Sequence, residues 1–179
     1  MAAVAYARRS SLILPVNVRR FVEKAYERGA DAIVLDLEDS VPPQEKASAR
    51  TLVRESLSLA GRGGAEVLVR VNNDPALLAD DIGAAVHPGL DGLAIPKAES
   101  AAQIHGIVAQ IERLETSRGL APGHVRLSLA IETPRGFLAV EEIARSSDRI
   151  ATMSIGVEDY CLELGVEPSA DGSTPSSRQ

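Results

Sequence analysis

The segment AIVLDLEDSVPP, residues 32–43, constrains this chain more than any other. Apolar residues from Ala32 to Leu35 run into Asp36, Glu38 and Asp39, and the Pro42-Pro43 pair then stops the strand. Unpaired buried charge costs several kcal/mol, so such carboxylates are normally paired, metal-bound or set at a solvent-filled mouth. The pattern recurs down the chain. VLVRVNN ends in Arg70 and Asn72, GLAIPKAES in Lys97 and Glu99, LSLAIETPRG in Glu132, and MSIGVEDY in Glu158 and Asp159. Apolar segments that each deliver charge at their C-terminal end describe a site on one end of a parallel sheet.

Helix-like segments separate these strands. SLILPV leads into VRRFVEKAYERG, where Phe21, Val22, Ala25 and Tyr26 share one helical face before Gly29. Pro42-Pro43 opens a helix through PPQEKASARTLVRESLSLAG, and Ser100 caps SAAQIHGIVAQIERLETSRG. PRGFLAVEEIARSS and VEDYCLELG follow the last two strands. Continuous apolar strands separated by helices indicate parallel strands in an α/β fold. The dinucleotide fingerprint and the phosphate-cradling P-loop are both missing. Charge ends almost every strand rather than two strands at a switch point, which favours a (β/α)8 TIM-type barrel over a doubly wound sheet. About six strand–helix units fit, whereas a complete barrel takes eight in about 250 residues. The expected organisation is an incomplete barrel domain over residues 1–166 and a polar, disordered tail over 167–179.

Aromatics make up 3% of the 179 residues and Trp is absent, so the core is Leu, Ile, Val and Ala. A formal charge of −6 argues against nucleic acid or an anionic membrane as partner. The single cysteine, Cys161, excludes an intramolecular disulfide and reads as a buried helix hydrophobe. The run after Arg8 and Arg9 is too short for a signal peptide, and no segment approaches the roughly 20 apolar residues of a membrane span. A cytoplasmic location is expected.

In a barrel, Asp36, Glu38, Asp39, Arg70, Lys97, Glu132, Glu158 and Asp159 converge near one mouth. Glu132 and Asp159, at the ends of consecutive strands, suit a hard cation such as Mg2+ that keeps waters or takes substrate oxygens. Arg70 offers a planar fork for a substrate carboxylate. These parts suit carbon–carbon cleavage or formation beside a carbonyl. Simpler readings exist for each residue taken singly. Glu132 fits a helix cap, Glu158 and Asp159 fit the first turn of a helix, Arg70 with Asp36 fits a structural ion pair, and Lys97 fits the surface or a Schiff base. Arg8, Arg9, Arg19 and Arg20 read as a solvated face or as partners for the phosphates of coenzyme A.

The ordered segments LILPVN, GADAIVLDLEDSVPPQEKASAR, VRVNN, DGLAIPKAES, AIETPRGFLAVEEIA and GVEDYCLELG, spanning about residues 10–166, resemble the citrate lyase beta-subunit group of the HpcH/HpaI aldolase superfamily. That group includes malyl-CoA, citramalyl-CoA and citryl-CoA lyases. The resemblance implies an oligomeric, often trimeric, (β/α)8 barrel that cleaves 3-hydroxyacyl-CoA thioesters with Mg2+ to an oxo acid and acetyl-CoA. It puts the metal on Glu132 and Asp159 and the substrate carboxylate on Arg70. Asp36, Glu38 and Asp39 then support the arginine and the metal waters, and Arg9 and Arg19 face the nucleotide end of coenzyme A. The alternatives are a class II pyruvate-type aldolase on free hydroxy-oxo acids and a non-catalytic subunit that acts by association. The chain departs from the family at Leu14, Pro15 and Val16, where relatives usually carry a glycine or alanine after the proline. Family members also run on for two further units and a C-terminal segment that brings an acidic residue to a neighbouring subunit's site.

Overall fold

The computed structural model describes residues 8–167; most of the expected tail lies outside the described residues. Strands β1 (Ser11–Pro15), β2 (Ala32–Asp36), β3 (Glu66–Arg70), β4 (Gly92–Ile95), β5 (Arg126–Ile131) and β6 (Ile150–Ile155) form one sheet in the order β1-β2-β3-β4-β5-β6. Every neighbouring pair is parallel. Parallel crossovers keep one hand, so a sequence of neighbours with no reversal lays all its helices on one face. This is the winding of a (β/α) barrel, and the doubly wound alternative is excluded.

Side-chain alternation confirms the two faces. Ile33, Leu35, Val67, Val69, Leu93, Ile95, Leu127, Leu129 and Ile131 join the main core with Val53, Leu57, Ile82, Ile104 and Ile111 of the helices. The intervening Ala32, Val34 and Leu68, with Ala94 against them, form a separate small cluster on the inner face. Asp36 continues the inward set of β2 and Arg70 that of β3, and the two are register partners. That parity, set by the two-residue period of a strand, delivers the charged residues to the inner mouth.

The helices are α1 (Arg19–Val22), α2 (Lys46–Ala60), α3 (Pro75–Ala85), α4 (Ala101–Arg118), α5 (Pro134–Leu138), α6 (Val140–Ala144) and α7 (Val157–Glu163). Ser100 caps α4 as its position suggests, accepting from the Gln103 amide at 3.2 Å. Cys161 is buried in α7. Two expected helices are broken. The first stops at Val22 and resumes as a 3-10 turn over Ala25–Arg28. That turn lies so close to the next loop that a Cβ on Gly63 would stand 3.0 Å from the Tyr26 carbonyl oxygen. Phe21, expected on the apolar face, lies half exposed under the Arg20 guanidinium, 5.0 Å from its ring centre. The segment after β5 divides at Ala139 into α5 and α6. Although Leu14-Pro15-Val16 lacks the family's small residue, the Val16 amide still reaches the Asp36 carbonyl at 3.2 Å, extending the pairing of β1 and β2.

One ion pair in the outer layer was not signalled by the sequence. Arg149, just before β6, reaches both carboxylate oxygens of Glu115 on α4, at 2.9 and 2.7 Å, and both groups are buried. The Val125 and Gly123 amides also donate to Glu115. Burial opposes the ionisation of Glu115, but Arg149 and these amides outweigh it and hold the carboxyl below its ordinary range. A depressed folded-state pKa means that this stabilisation is complete above about pH 4.5, the ordinary carboxyl value, and is lost as pH falls through the folded value. Wild-type melting temperature should drop steeply on the acid side. Glu115→Gln should be less stable at neutral pH and show a flatter acid limb, as read by thermal melts from pH 3 to 7.

Candidate active site

The site begins at the end of β2. Asp36 is fully buried, and its two oxygens take a parallel pair of bonds from Arg70, Nε at 2.7 Å and Nη2 at 2.8 Å. The chain then folds back over this pair. The Glu38 and Ser40 amides each donate to Asp36 at 2.9 Å, and the Ser40 hydroxyl donates as well. Burial opposes the charge on Asp36, but Arg70, Ser40 and the two amides overcome it and hold the carboxyl below its usual value. Arg70 is driven further into its charged form, chiefly by the Asp36 hydrogen bonds. The ion pair expected between Arg70 and Asp36 is thus present and buried at its Asp36 end. The pair occupies one edge of the guanidinium, and the Nη1 corner lies outside it.

Glu38 and Asp39 stand at that corner, with oxygens 3.1 and 3.4 Å from Nη1. Asp39 is largely solvated, whereas Glu38 is only 13% exposed in its side chain. Glu38 Oε2 is buried and makes no directed hydrogen bond, even beside the guanidinium. Its pKa is pushed up to about 7, first by burial and then by the neighbouring charges of Asp39 and Asp36, against the pull of Arg70.

A second group assembles at the ends of β4, β5 and β6. Thr133, rather than Glu132, caps α5, accepting from the Gly136 amide at 3.0 Å. Glu132 is thereby released from the capping role that its position suggested. Its Oε1 accepts from the Lys97 amide at 2.9 Å. Lys97 holds a left-handed backbone, φ 49°, which is uncommon for a residue with a Cβ and tends to cluster at functional sites. Its carbonyl accepts from Asn73 at 2.9 Å, and its ammonium lies 3.4 Å from Asp159 Oδ2. Lys97 is therefore a hub between the ends of β3, β5 and β6, with its side chain partly exposed. Gly156 was missed by sequence reasoning. A Cβ there would stand 2.6 Å from Glu132 Cβ, so only glycine leaves room for this carboxylate. Asp159 lies in the first turn of α7 and is partly exposed, and Glu158 beside it points to solvent.

The two groups are neighbours. Arg70 lowers and Asp159 raises the pKa of Glu132, whose net shift is upward because burial leads. Lys97 is raised, since Asp159, Glu38 and Glu132 together outweigh its own burial. Among the described residues no three His, Cys, Asp or Glu side chains converge as a complete metal cage. Mg2+ commonly takes only one or two protein carboxylates and fills its other positions with water and ligand oxygens. Two converging carboxylates, one kept hard to ionise by burial and by the other's charge, fit a cation of that kind.

The basic residues expected to meet a large cofactor are not brought together. Arg9 precedes β1 at the opposite end of the sheet, where its amide, Nε and Nη2 all bond to Asp31. The residue sits before the strand, whereas the carboxylates follow the strands. Arg19 is on α1, exposed and paired with Glu23 at 2.7 Å and Glu55 at 3.2 Å. Among the described residues no helix is long and apolar enough to cross a membrane.

Residues 9–174 match the family described as HpcH/HpaI aldolase/citrate lyase. The chain is 37% identical over 166 residues to the citrate lyase subunit beta of Leuconostoc mesenteroides subsp. cremoris, covering 92% of this chain and 55% of that protein. It is 32% identical over 170 residues to the L-malyl-CoA/beta-methylmalyl-CoA lyase of Cereibacter sphaeroides, covering 93% and 53%. The chain spans about half the length of these curated relatives. The citrate lyase beta subunit of M. tuberculosis, solved with oxaloacetate and magnesium, superposes with a TM-score of 0.70 at 28% identity, covering 95% of this chain and 70% of that one. Malate synthase of Haloferax volcanii, solved as a lead(II) complex, gives a TM-score of 0.77 at 18% identity over 93% of this chain and 55% of that one, a likeness of fold.

Proposed function

The chain belongs to the HpcH/HpaI aldolase/citrate lyase family, and we propose that it carries the oxo-acid and metal site of a Mg2+-dependent carbon–carbon lyase. The substrate class is a 3-hydroxyacyl-CoA of the citryl-, malyl- or citramalyl-CoA type, cleaved to an oxo acid and acetyl-CoA. The observation that supports this reading is the adjacency of two charge systems at the C-terminal strand ends: an arginine fixed on one edge by Asp36 and a pair of carboxylates held by Lys97.

In this reading Glu132 and Asp159 hold the metal. When bound, Mg2+ polarises a ligand oxygen and stabilises the negative charge that develops as the carbon–carbon bond breaks. The protein's own groups set the geometry. The Lys97 amide orients Glu132, and Gly156 leaves the space it occupies. Asp36 fixes the plane of the Arg70 guanidinium, so that the Nη1 corner meets the substrate carboxylate. Glu38 shares that corner, and a neutral Glu38 neither repels an incoming carboxylate nor competes for Nη1.

This gives a pH dependence with a definite sign. With Glu38 near 7, oxo-acid affinity should decline as pH rises through neutrality, because ionised Glu38 then competes for Arg70. Glu38→Gln should remove that decline, as seen in oxaloacetate titrations from pH 6 to 8.5.

The reading itself is tested by calorimetry of oxaloacetate and glyoxylate on the folded chain, with and without Mg2+. Binding that requires Mg2+ supports it and justifies a screen of acyl-CoA thioesters. Binding of a free hydroxy-oxo acid followed by its cleavage without coenzyme A would move the assignment to a pyruvate-type aldolase. A folded chain that binds neither acid would move it to a subunit that acts by association.

A further inference from the structure

We propose that Lys46, which touches neither the arginine nor the carboxylate pair, is a positioning residue for the carboxylate-binding corner of Arg70. The inference rests on the lyase reading above. Lys46 is the first residue of α2, the turn of a helix where a cation is least favoured by the helix dipole. It nevertheless turns its ammonium back under the active-site loop. Nζ donates to the Leu37 carbonyl at 3.0 Å, to the Glu38 carbonyl at 2.9 Å and to Asn72 Oδ1 at 2.6 Å. An ammonium has three donors, and all three are taken.

The acceptors are what make this a device for the site. Leu37 and Glu38 begin the loop whose Glu38 and Ser40 amides wrap Asp36 and whose Glu38 carboxylate stands at Arg70 Nη1. Asn72 lies two residues beyond Arg70. Lys46 therefore joins the chain just after Asp36 to the chain just after Arg70, below the ion pair that these two residues form. Asn72 repeats the link, its Nδ2 donating to the Leu37 carbonyl at 2.8 Å. It is fixed in turn by the fully buried Asp81, which accepts from the Asn72 amide at 2.8 Å and from Nδ2 at 2.7 Å. Arg50, one turn after Lys46 on α2, closes the circuit with Nε 2.5 Å from Asp81 Oδ1. The Lys46, Asn72, Asp81 and Arg50 network thus locks α2, α3 and the two loops into one body. Without the ammonium, the Glu38 carbonyl and the Asn72 oxygen lose this donor and the Leu37 carbonyl keeps only Asn72 Nδ2, so the loop that sets the Glu38 corner is freer to shift.

Lys46→Met tests this with two readouts. In calorimetry, oxaloacetate affinity at saturating Mg2+ should fall about tenfold or more, while the affinity for Mg2+ alone stays within about twofold of wild type. In hydrogen exchange, peptides covering residues 37–41 should exchange about tenfold faster, with those covering 92–95 unchanged. Should Lys46→Met not fold, Lys46→Gln, which keeps two neutral donors, should show the same pattern at smaller amplitude. Equal losses of oxaloacetate and Mg2+ affinity, or unchanged oxaloacetate affinity, would overturn the positioning role. Unchanged exchange over 37–41 would overturn it independently of any ligand. If wild type binds no oxaloacetate, it is the lyase reading that fails, and exchange alone then decides whether Lys46 holds the loop.

Discussion

Asp159→Asn is expected to abolish Mg2+-dependent oxaloacetate binding while leaving the protein folded. The substitution removes one of the two negative charges offered to the cation and keeps the shape of the side chain. A unit-charge pair at about 4 Å and an effective dielectric near 20 is worth ~4 kcal/mol. The loss for a divalent ion is thus of the order of a thousandfold in affinity or more. The fold has little at stake. The Asp159 side chain is 37% exposed, and its one ion pair is with Lys97, itself 39% exposed at 3.4 Å. Exposed pairs of this kind contribute about 0–1 kcal/mol, so the melting temperature should move by no more than about 2–4 °C. Calorimetry with Mg2+ and oxaloacetate, beside a thermal melt, separates the two effects. Undiminished Mg2+-dependent binding would remove Asp159 from the metal site.

Arg70→Ala should show the opposite combination, with stability and ligand binding lost together. Asp36 is wholly buried and depends on two guanidinium bonds. Breaking a buried pair by removing one partner costs about 3–5 kcal/mol, because the remaining charge has no replacement solvent. The Ser40 hydroxyl and the two loop amides soften that penalty, so the lower end of the range is expected. Urea unfolding would read it as a lower midpoint at constant slope. Oxaloacetate binding should be lost in the same variant, whereas Mg2+ should still bind. Arg70→Lys recovers the charge but not the parallel pair of bonds to Asp36, so it should regain only part of either property. A stable Arg70→Ala protein that still binds oxaloacetate would show that the arginine is not the carboxylate anchor.

Together these variants separate the two charge systems. One is buried, structural and preformed, with Asp36 holding Arg70 in a fixed plane. The other is partly solvated and short of positive charge, with Lys97 meeting only part of what Glu132 and Asp159 present. A site of this type can accept an anionic ligand at one pole and a cation at the other without rebuilding either.

Much of this was legible in the chain itself. Apolar runs ending in charge specified parallel strands and the end of the sheet on which chemistry would gather. In the structure, the two-residue period of a strand sets Asp36 and Arg70 on the inner face as register partners. Ser100 as a cap and Cys161 as a buried hydrophobe were local properties and were read correctly. Other features depend on approaches between segments distant in sequence, and no local pattern reports them. Lys97 has nothing in its neighbourhood that announces a left-handed backbone; it is held there by Asn73, Glu132 and Asp159. Gly156 matters only because Glu132 lies against it. Arg9 and Arg19 were grouped by their nearness in sequence, and a single strand between them sent Arg9 to the opposite end of the sheet. The first helix gives way to the turn at Ala25–Arg28, which lies against Gly63, a contact between segments that periodicity cannot register. The sequence alone determined the fold class, the end of the sheet on which charge gathers and the chemical inventory of the mouth, since these follow from segment order and residue types. Only the tertiary structure decided which charges meet, which are buried and which edge of Arg70 pairs with Asp36, since these are set by distances across strands.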